Sequence, residues 1–507
     1  MSEEKARTPS EHSSTTAAHV AKVPNGHGES AIPDDKKEEA IENVQDDWED
    51  DEINPRNWST TKKWTSIGIV SLYTFVSPLS SSMMAPGLPD LAIKYGVTSD
   101  TLISLMLSVF LITFALGPLI LAPLSEIYGR TWVLHAGAFF TLAFNLGCAF
   151  APTAGSFIGF RTLSGFSASA PIACGGGSVG DVFSERDRAF AMAVYSLGPL
   201  IGPAVGPIIG GFVAQSIGAK YIFVIIAGLS AISLVFGIPL LKETYAPVIR
   251  ARRALAEGDV EKAKHAHGPI SNMTKSQYLW MNFSRPLILL TRSFICFILS
   301  LYMAFMYGIY YLMFTTFPTL FSDVYGFDTE IGGLVYLGLG IGFIVATLFG
   351  AKQANQIYLY ARFPEKNGGK GTPEMRIPAL AFGSLWVPVG MFWFGWSAQA
   401  KIHWIMPIIG SGIFGFGEHC WRLSLPIQLY LVDAFQYAAS ALAAASVMRS
   451  LFGFAFPLFA TQMFAALGYG GGGSLLGGLA IVLGIPFPIW IYYKGEGMRA
   501  RSSLTVG

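Results

Sequence analysis

Between Trp64 and Tyr493 the apolar positions fall into long, unbroken runs separated by shorter polar stretches, and twelve such runs occur. They lie near 65–86, 102–122, 132–151, 157–180, 189–213 and 220–241, and then near 288–317, 331–351, 377–397, 402–431, 438–466 and 474–493. About 20 residues of helix cross a hydrocarbon core of ~30 Å. Apolar and polar positions do not alternate within the runs, which favours helices over barrel strands. A helix also bonds its own N–H and C=O groups, for which hydrocarbon offers no partner. The pattern predicts an all-α membrane protein of twelve transmembrane helices in two six-helix halves. Residues 64–241 form an N-terminal six-helix bundle, 242–287 a polar linker and 288–493 a C-terminal six-helix bundle. Residues 1–63 are polar and include the acidic stretch Asp46-Asp47-Trp48-Glu49-Asp50-Asp51-Glu52. Such a segment buries too little apolar surface to fold alone and is predicted to be a disordered cytosolic tail. Residues 494–507 form a second, short tail.

Charge then orients the bundle. Only 13% of the 507 residues are charged, about half the usual share of a soluble protein. The loops after spans 2, 4, 6 and 8 hold Arg130, then Arg186 and Arg188, then a basic series from Lys242 to Arg285, then another from Lys352 to Arg376. The opposite loops hold Lys94, Lys220 and Lys401. Lysine and arginine concentrate on cytosolic loops, so both termini and the linker are expected in the cytosol. The net charge of +1 gives no reason to expect nucleic acid. Cys148, Cys174, Cys296 and Cys420 lie inside apolar runs without a CxxC pair, so neither disulfides nor a metal site are expected. The sequence contains no GxxxxGK[ST] phosphate loop and no HExxH zinc motif. ATP-driven pumping and zinc-dependent hydrolysis therefore have no motif behind them.

Four stretches carry candidate chemistry. Span 5 reads Gly198-Pro199-Leu200-Ile201-Gly202-Pro203-Ala204-Val205-Gly206-Pro207-Ile208-Ile209-Gly210-Gly211. Glycines four apart share a face that lets another helix approach closely, and prolines remove backbone bonds and bend the helix. The loop after span 2 reads Pro123-Leu124-Ser125-Glu126-Ile127-Tyr128-Gly129-Arg130, a charge cluster able to latch one state, or else a solvated surface pair of little energy. Span 4 carries Arg161. A charge inside a span marks a functional site by default, unless it snorkels to the interface. Span 10 carries Glu418-His419-Cys420-Trp421-Arg422 near its midpoint. Glu418 and Arg422 share a face, and His419 titrates near neutrality. These groups either handle protons or substrate, or neutralise one another as a structural pair. His135 in span 3 reads as a satisfied helix histidine, and Arg449 in span 11 as an inter-helix or cytosolic contact. Some of Trp386, Trp393, Trp396 and Trp404 are candidates to line an amphiphile-accepting cavity.

The glycine–proline pattern of span 5 resembles the antiporter motif of the major facilitator superfamily. The Glu126…Gly129-Arg130 loop is similar to that superfamily's inner-loop signature, in the form seen in fungal twelve-helix drug:proton antiporters. Arg161 followed by Gly165 resembles its span 4 motif. Asn54-Pro55-Arg56-Asn57-Trp58-Ser59 and Tyr430-Leu431-Val432-Asp433-Ala434 look like stretches of the same branch, and the resemblance covers 54–501. It implies the major facilitator fold and export rather than uptake. It also implies that Glu126 sits at a helix N-terminus of the partner half, that Arg130 pairs with Asp181, and that Arg161 takes part in proton coupling. Span 10 departs from the family in being more charged, so the resemblance gives Glu418, His419 and Arg422 no role. The Asn355-Gln356-Ile357-Tyr358 loop departs too, so its copy of the latch is expected to be weak.

The sequence thus reads as a monomeric proton-coupled antiporter with no cofactor beyond the proton gradient. It would export a small organic molecule (a toxin, drug or secondary metabolite) across the plasma membrane, with the vacuolar membrane as the alternative. Its partners are that molecule, protons and the lipid bilayer. Glu418, His419, Arg422 and Arg161 are the substrate- or proton-handling candidates, and Glu126, Gly129, Arg130 and Asp181 the gate. Proton-coupled uptake, polyamine or organic-acid transport, and a non-transporting membrane sensor remain alternatives.

Overall fold

A computed structural model describes residues 48–266, 273–347, 372–419, 424–501, 504 and 505. By its contacts the chain divides into Met1–Asp51 and Glu52–Gly507, and the second unit holds every described helix. The N-terminal half contains span 1 (Thr60–Ser82), span 2 (Asp100–Tyr128), span 3 (Arg130–Ala149), span 5 (Glu185–Ile217) and span 6 (Lys220–Leu240). Span 4 is built from Ala154–Ala168 and Ala170–Val182, joined at Ser169, with Pro171 opening the second piece. The C-terminal half contains span 7 (Phe294–Tyr325), span 8 (Thr329–Thr347) and span 9 (Ile377–Gln399). Span 10 is helical over Ile405–His419 and again over Ser424–Ala434. Spans 11 and 12 run on as Ala438–Gly484, with the break between them at Gly468 (φ 70°, ψ 169°), and Pro486–Arg499 follows. Among the described residues eight helices are long and apolar enough to cross a membrane, Ala438–Arg499 being counted as one. The interrupted spans 4 and 10 and the serine-rich span 1 complete the twelve.

Two expected boundaries are corrected. Order begins well before residue 63. The Asn54 side chain accepts from the Arg56 amide at 3.0 Å and starts a 3₁₀ turn at Pro55–Asn57. Trp58 is 7% exposed, clusters with Val182 and Phe183, and carries the Lys62 ammonium 3.7 Å above its ring. A proline-set turn and one buried indole anchor this segment where composition alone predicts a tail. Residues 1–47 lie outside the described residues. The other correction is that the linker extends past 287. A capping box of Thr274 and Gln277 opens a helix that ends at Arg292, and Ser293, accepting from the Cys296 amide at 3.3 Å, caps span 7. The apolar stretch Ile288–Leu290 was expected inside the span. It belongs instead to an amphipathic helix that buries Leu289 and exposes Trp280, Leu287 and Ile288. The linker also holds helices Ala246–Ala256 and Val260–Ala266.

The two halves meet where span 5 packs against span 8 and span 2 against span 11. Span 5 lies against span 8, where a Cβ on Gly333 would stand 2.8 Å from the Pro207 carbonyl. Spans 2 and 11 meet where Thr101 Oγ1 lies 2.9 Å from the Gln462 side-chain amide. Both contacts sit toward the face opposite the linker. Span 7 is buried along most of its length.

Candidate functional site

The span 5 stripe faces span 1. A Cβ added at Gly198 would stand 3.0 Å from the Phe75 amide nitrogen, and one at Gly202 3.2 Å from that of Leu79. At Gly206 it would meet Ser82 Oγ at 2.4 Å, and at Gly210 the Met83 carbonyl at 1.8 Å. Gly211 points elsewhere, into span 8, where a Cβ would lie 2.8 Å from Thr329 O and 3.0 Å from Gly333 Cα. Pro199 and Pro203 border the central cavity described below. The stripe therefore packs span 5 within its own half, and its last glycine closes the seam between halves.

On the linker face, Gly129 turns the chain from span 2 into span 3 with φ 105°, a conformation that glycine adopts without steric cost. Arg130 donates from Nε to Asp181 Oδ2 at 3.3 Å and from Nη1 to Ser125 Oγ at 2.9 Å, and stacks 4.8 Å from the Tyr245 ring. The structure thus brings Arg130 and Asp181 together. Glu243, at the end of span 6, completes the cluster. Its carboxylate accepts from the amides of Arg130 (2.9 Å), Thr131 (3.3 Å), Thr244 (3.1 Å) and Tyr245 (3.0 Å). An acid at a helix N-terminus satisfies amides that have no partner within the helix and meets the positive end of the dipole. Sequence reasoning missed Glu243, because only the packing of span 6 beside span 3 brings it there. Glu126 was expected at a helix N-terminus of the partner half. Its carboxylate here accepts from the Tyr278 hydroxyl of the linker helix. That helix also places Arg285 4.4 Å from the Tyr437 ring, at the start of span 11.

Between the halves lies a cavity of about 470 Å³. Spans 1, 2, 4 and 5 line one side and spans 7, 8, 10 and 11 the other. Its aromatic wall is Tyr307, Tyr310 and Tyr311 of span 7, with ring centroids 4.9 Å apart for Tyr307–Tyr311 and 5.3 Å for Tyr310–Tyr311. Tyr311 Oη lies 2.9 Å from Ser81 Oγ, a contact across the seam. Glu418 lines this cavity, and so does Arg449, whose guanidinium lies 4.9 Å from the Tyr307 ring. Arg449 was expected at an inter-helix or cytosolic contact; its place in the wall depends on the packing of span 11 against span 7.

Arg161 sits elsewhere. It is fully buried behind Phe110, 4.8 Å from that ring, and donates from Nη1 to the Ser80 carbonyl at 2.9 Å. Ser80 is in the last turn of span 1, where carbonyls lose their intrahelical partners, so Arg161 acts as a cap. His419 closes the first helix of span 10, and Arg422 lies outside the described residues together with Cys420 and the 355–358 loop. His135 Nδ1 is 2.9 Å from Tyr73 Oη, the satisfied helix histidine expected. Trp386 and Trp404 line a separate apolar groove of about 840 Å³ formed by spans 8, 9 and 10. Among the described residues no cluster of His, Cys, Asp or Glu could hold a metal ion.

The sequence profile described as Major Facilitator Superfamily matches residues 70–457. The chain belongs to the Major Facilitator Superfamily. It is 41% identical over 473 residues to the MFS transporter prlG of a fungal species, strain NRRL 50135, covering 92% of this chain and 97% of that one. It is also 41% identical over 461 residues to the efflux pump vrtL of Penicillium aethiopicum, covering 90% of each. Among solved structures, the partially occluded inward-open xylose transporter XylE of E. coli matches with a TM-score of 0.62 at 14% identity. That match covers 86% of this chain and 98% of XylE. The peptide transporter POT matches with the same TM-score of 0.62 at 15% identity, covering 85% of this chain and 95% of that one. As a superfamily member the chain is a multi-pass membrane transporter and not an enzyme. Transporters of this superfamily bind small-molecule substrates.

Proposed function

We propose that this transporter exports a small organic molecule from the cytosol by alternating access, driven by a proton that moves inward through Glu418. The observation that carries the proposal is the place of Glu418 in a cavity walled by both halves, because a carboxylate there can be exposed to either side in turn. Export finds support in the efflux pumps among the relatives and in the glycine–proline pattern of span 5. Coupling arises only if substrate and proton bind the two states differently. In this reading Glu126, Gly129, Arg130 and Asp181 form the gate on the cytosolic face, where both termini and the linker also lie. The protein works as a monomer in the plasma membrane, and the proton gradient takes the place of a cofactor. His419 and Arg422 stand beside Glu418 in sequence as further candidates for proton transfer, and Arg161 supports the cavity from behind.

The test is flux in vesicles holding the purified chain, with an imposed pH gradient. A gradient acid on the side of the extracellular loops should drive probe toward that side and acidify the other. Glu418→Gln should abolish the proton flux while leaving downhill exchange of the probe. Proton flux unchanged in Glu418→Gln overturns the assignment, and absence of any gradient-driven movement overturns antiport.

A further inference from the structure

We propose that a groove on the membrane face of spans 2, 3 and 4 seats a phospholipid of the linker-side leaflet, and that Arg252 and Lys275 select one with a negatively charged head. The site is separate from the central cavity and holds for either direction of transport. The groove encloses about 600 Å³. Its walls are apolar: Leu121 and Leu124 from span 2, Phe140 and Phe144 from span 3, Leu163 and Phe166 from span 4. Ser167 lines it too, but its hydroxyl is already engaged, donating to the Ser164 carbonyl at 3.1 Å. Phe140 is 48% exposed and Leu163 47%. All three walls are spans, so hydrocarbon is the medium these side chains meet. Along span 3 the groove runs from Trp132 to Phe144, about 18 Å of helix at ~1.5 Å per residue. Half of a ~30 Å hydrocarbon core is about 15 Å, so the groove has roughly the depth of one leaflet.

The linker-side end is built differently. Trp132 and Tyr128 stand there, side chains that favour the level of lipid heads. Among the described residues lining the groove, Arg252 of the linker helix Ala246–Ala256 is the one with a charge. Its Nη2 donates to the Tyr128 carbonyl at 2.9 Å, which holds the guanidinium at the mouth. Lys275 Nζ lies 4.7 Å from the centroid of the Tyr128 ring and 3.4 Å from its hydroxyl, so a second cation is held against the same residue. No described carboxylate makes an ion pair with either cation. Glu126, the acid nearest to Tyr128 in sequence, is taken up by the Tyr278 hydroxyl. An apolar groove of leaflet depth, ending in two cations at headgroup level, complements an anionic phospholipid, with its chain in the groove and its phosphate at the cations. The groove of spans 8, 9 and 10 supplies the contrast. It is larger, about 840 Å³, but no charged residue is among those described that line it, so it has nothing with which to choose a head.

The experiment uses the purified full chain in detergent micelles and two photoreactive lipids, phosphatidylserine and phosphatidylcholine, which carry the same acyl chain with a diazirine near its end. Peptide mass spectrometry reads where each one attaches. The serine lipid should label the peptides holding Phe140, Phe144 and Leu163 about five-fold or more above the choline lipid at equal concentration. Unlabelled phosphatidylserine should compete with it, and inorganic phosphate should not. Arg252→Gln and Lys275→Gln should each cut the labelling about five-fold, while Arg252→Lys, which keeps the charge, should retain most of it. Both cations are exposed, so neither replacement strands a buried group. Ala136→Trp fills the groove and should abolish labelling with both cations in place; should that variant misfold, the charge variants decide. Equal labelling by the two lipids, labelling unchanged in the Arg252→Gln/Lys275→Gln double variant, or competition by inorganic phosphate overturns the proposal. So does a disulfide-linked dimer formed in membranes through Trp132→Cys, which would put a second copy of the chain on this face. No pH gradient and no transported molecule enter the measurement, so its failure is distinct from a failure of export or of proton coupling.

Discussion

Adding one methyl group at Gly211 should tilt the transporter toward its other state, whereas the same addition at Gly210 should only weaken the fold. The two glycines are neighbours in span 5 but face different helices. At Gly211 a Cβ would lie 2.8 Å from Thr329 O and 3.0 Å from Gly333 Cα, both in span 8 of the other half. Ordinary contact starts at 3.4 Å, so the halves must part by roughly 3.4 − 2.8 = 0.6 Å on that face. Overpacking of this kind costs about 1–3 kcal/mol. Spans 5 and 8 separate when the cavity opens on the side opposite the linker, so the penalty falls on the present state alone. A differential of that size shifts the population ratio by about 5- to 150-fold. At Gly210 a Cβ would stand 1.8 Å from the Met83 carbonyl within the same half. That clash accompanies both states and should cost ~3 kcal/mol or more of stability without changing their ratio. Pulsed EPR distances between labels at Ile217→Cys and Ile402→Cys, with Cys420 changed to Ser, would read the population. Gly211→Ala should lengthen the dominant distance, and Gly210→Ala should lower Tm and leave the distances alone. Equal distance distributions for wild type and Gly211→Ala, or an equal shift in Gly210→Ala, would refute the reasoning.

Three further outcomes follow from the charge clusters, each read by thermal unfolding in detergent. Glu243→Gln removes the charge from the carboxylate that caps span 3 and should cost about 1–2 kcal/mol, with a lower Tm. Gly129→Ala should cost more than Glu243→Gln, because it adds a Cβ 2.1 Å from Glu243 Oε2 at a residue whose φ is 105°; equal Tm values for the two variants would contradict this. Arg499 donates to Glu374 at 2.8 and 3.0 Å, with Tyr430 also donating to that acid at 3.2 Å. Arg499→Ala should therefore cost about 3–5 kcal/mol by stranding a buried carboxylate, and the double variant with Glu374→Ala should lose less than the sum of the two single changes.

The span count was legible because hydrocarbon permits so little: each crossing needs a long, apolar, self-bonded segment, and such segments show in the sequence. Where local chemistry competes with that rule, the reading slipped. Ile288–Leu290 is as apolar as a span, yet the capping box at Thr274 and the cap at Ser293 assign it to a separate helix. Trp58 makes an ordered anchor out of a polar stretch. The pairing of Arg130 with Asp181 followed from the resemblance. Glu243 and Tyr278, which complete that cluster, could not be read, because each acts through a neighbour more than a hundred residues away in sequence. Glu418 was marked by its charge inside a span. Arg449 carries the same mark, but its position in the cavity depends on how span 11 rotates against span 7, and the period of an apolar helix does not reveal that.

The placement of the arginines separates holding from handling. Arg130, Arg376 and Arg499 lie at helix ends on the linker face, each with a carboxylate. Arg161 and Arg449 lie within the spans, and the described residues give neither an ion pair. A buried charge costs several kcal/mol, and the aromatic faces beneath each guanidinium return about 1–2 of it. A fixed carboxylate would return more, yet would also tie two helices together in every state. Arg161 gives one bond to a carbonyl at the end of span 1, a contact inside one half that can travel with it, while its Nε and Nη2 have no partner. Arg449 faces the seam, where a permanent partner would oppose the opening and closing of the halves.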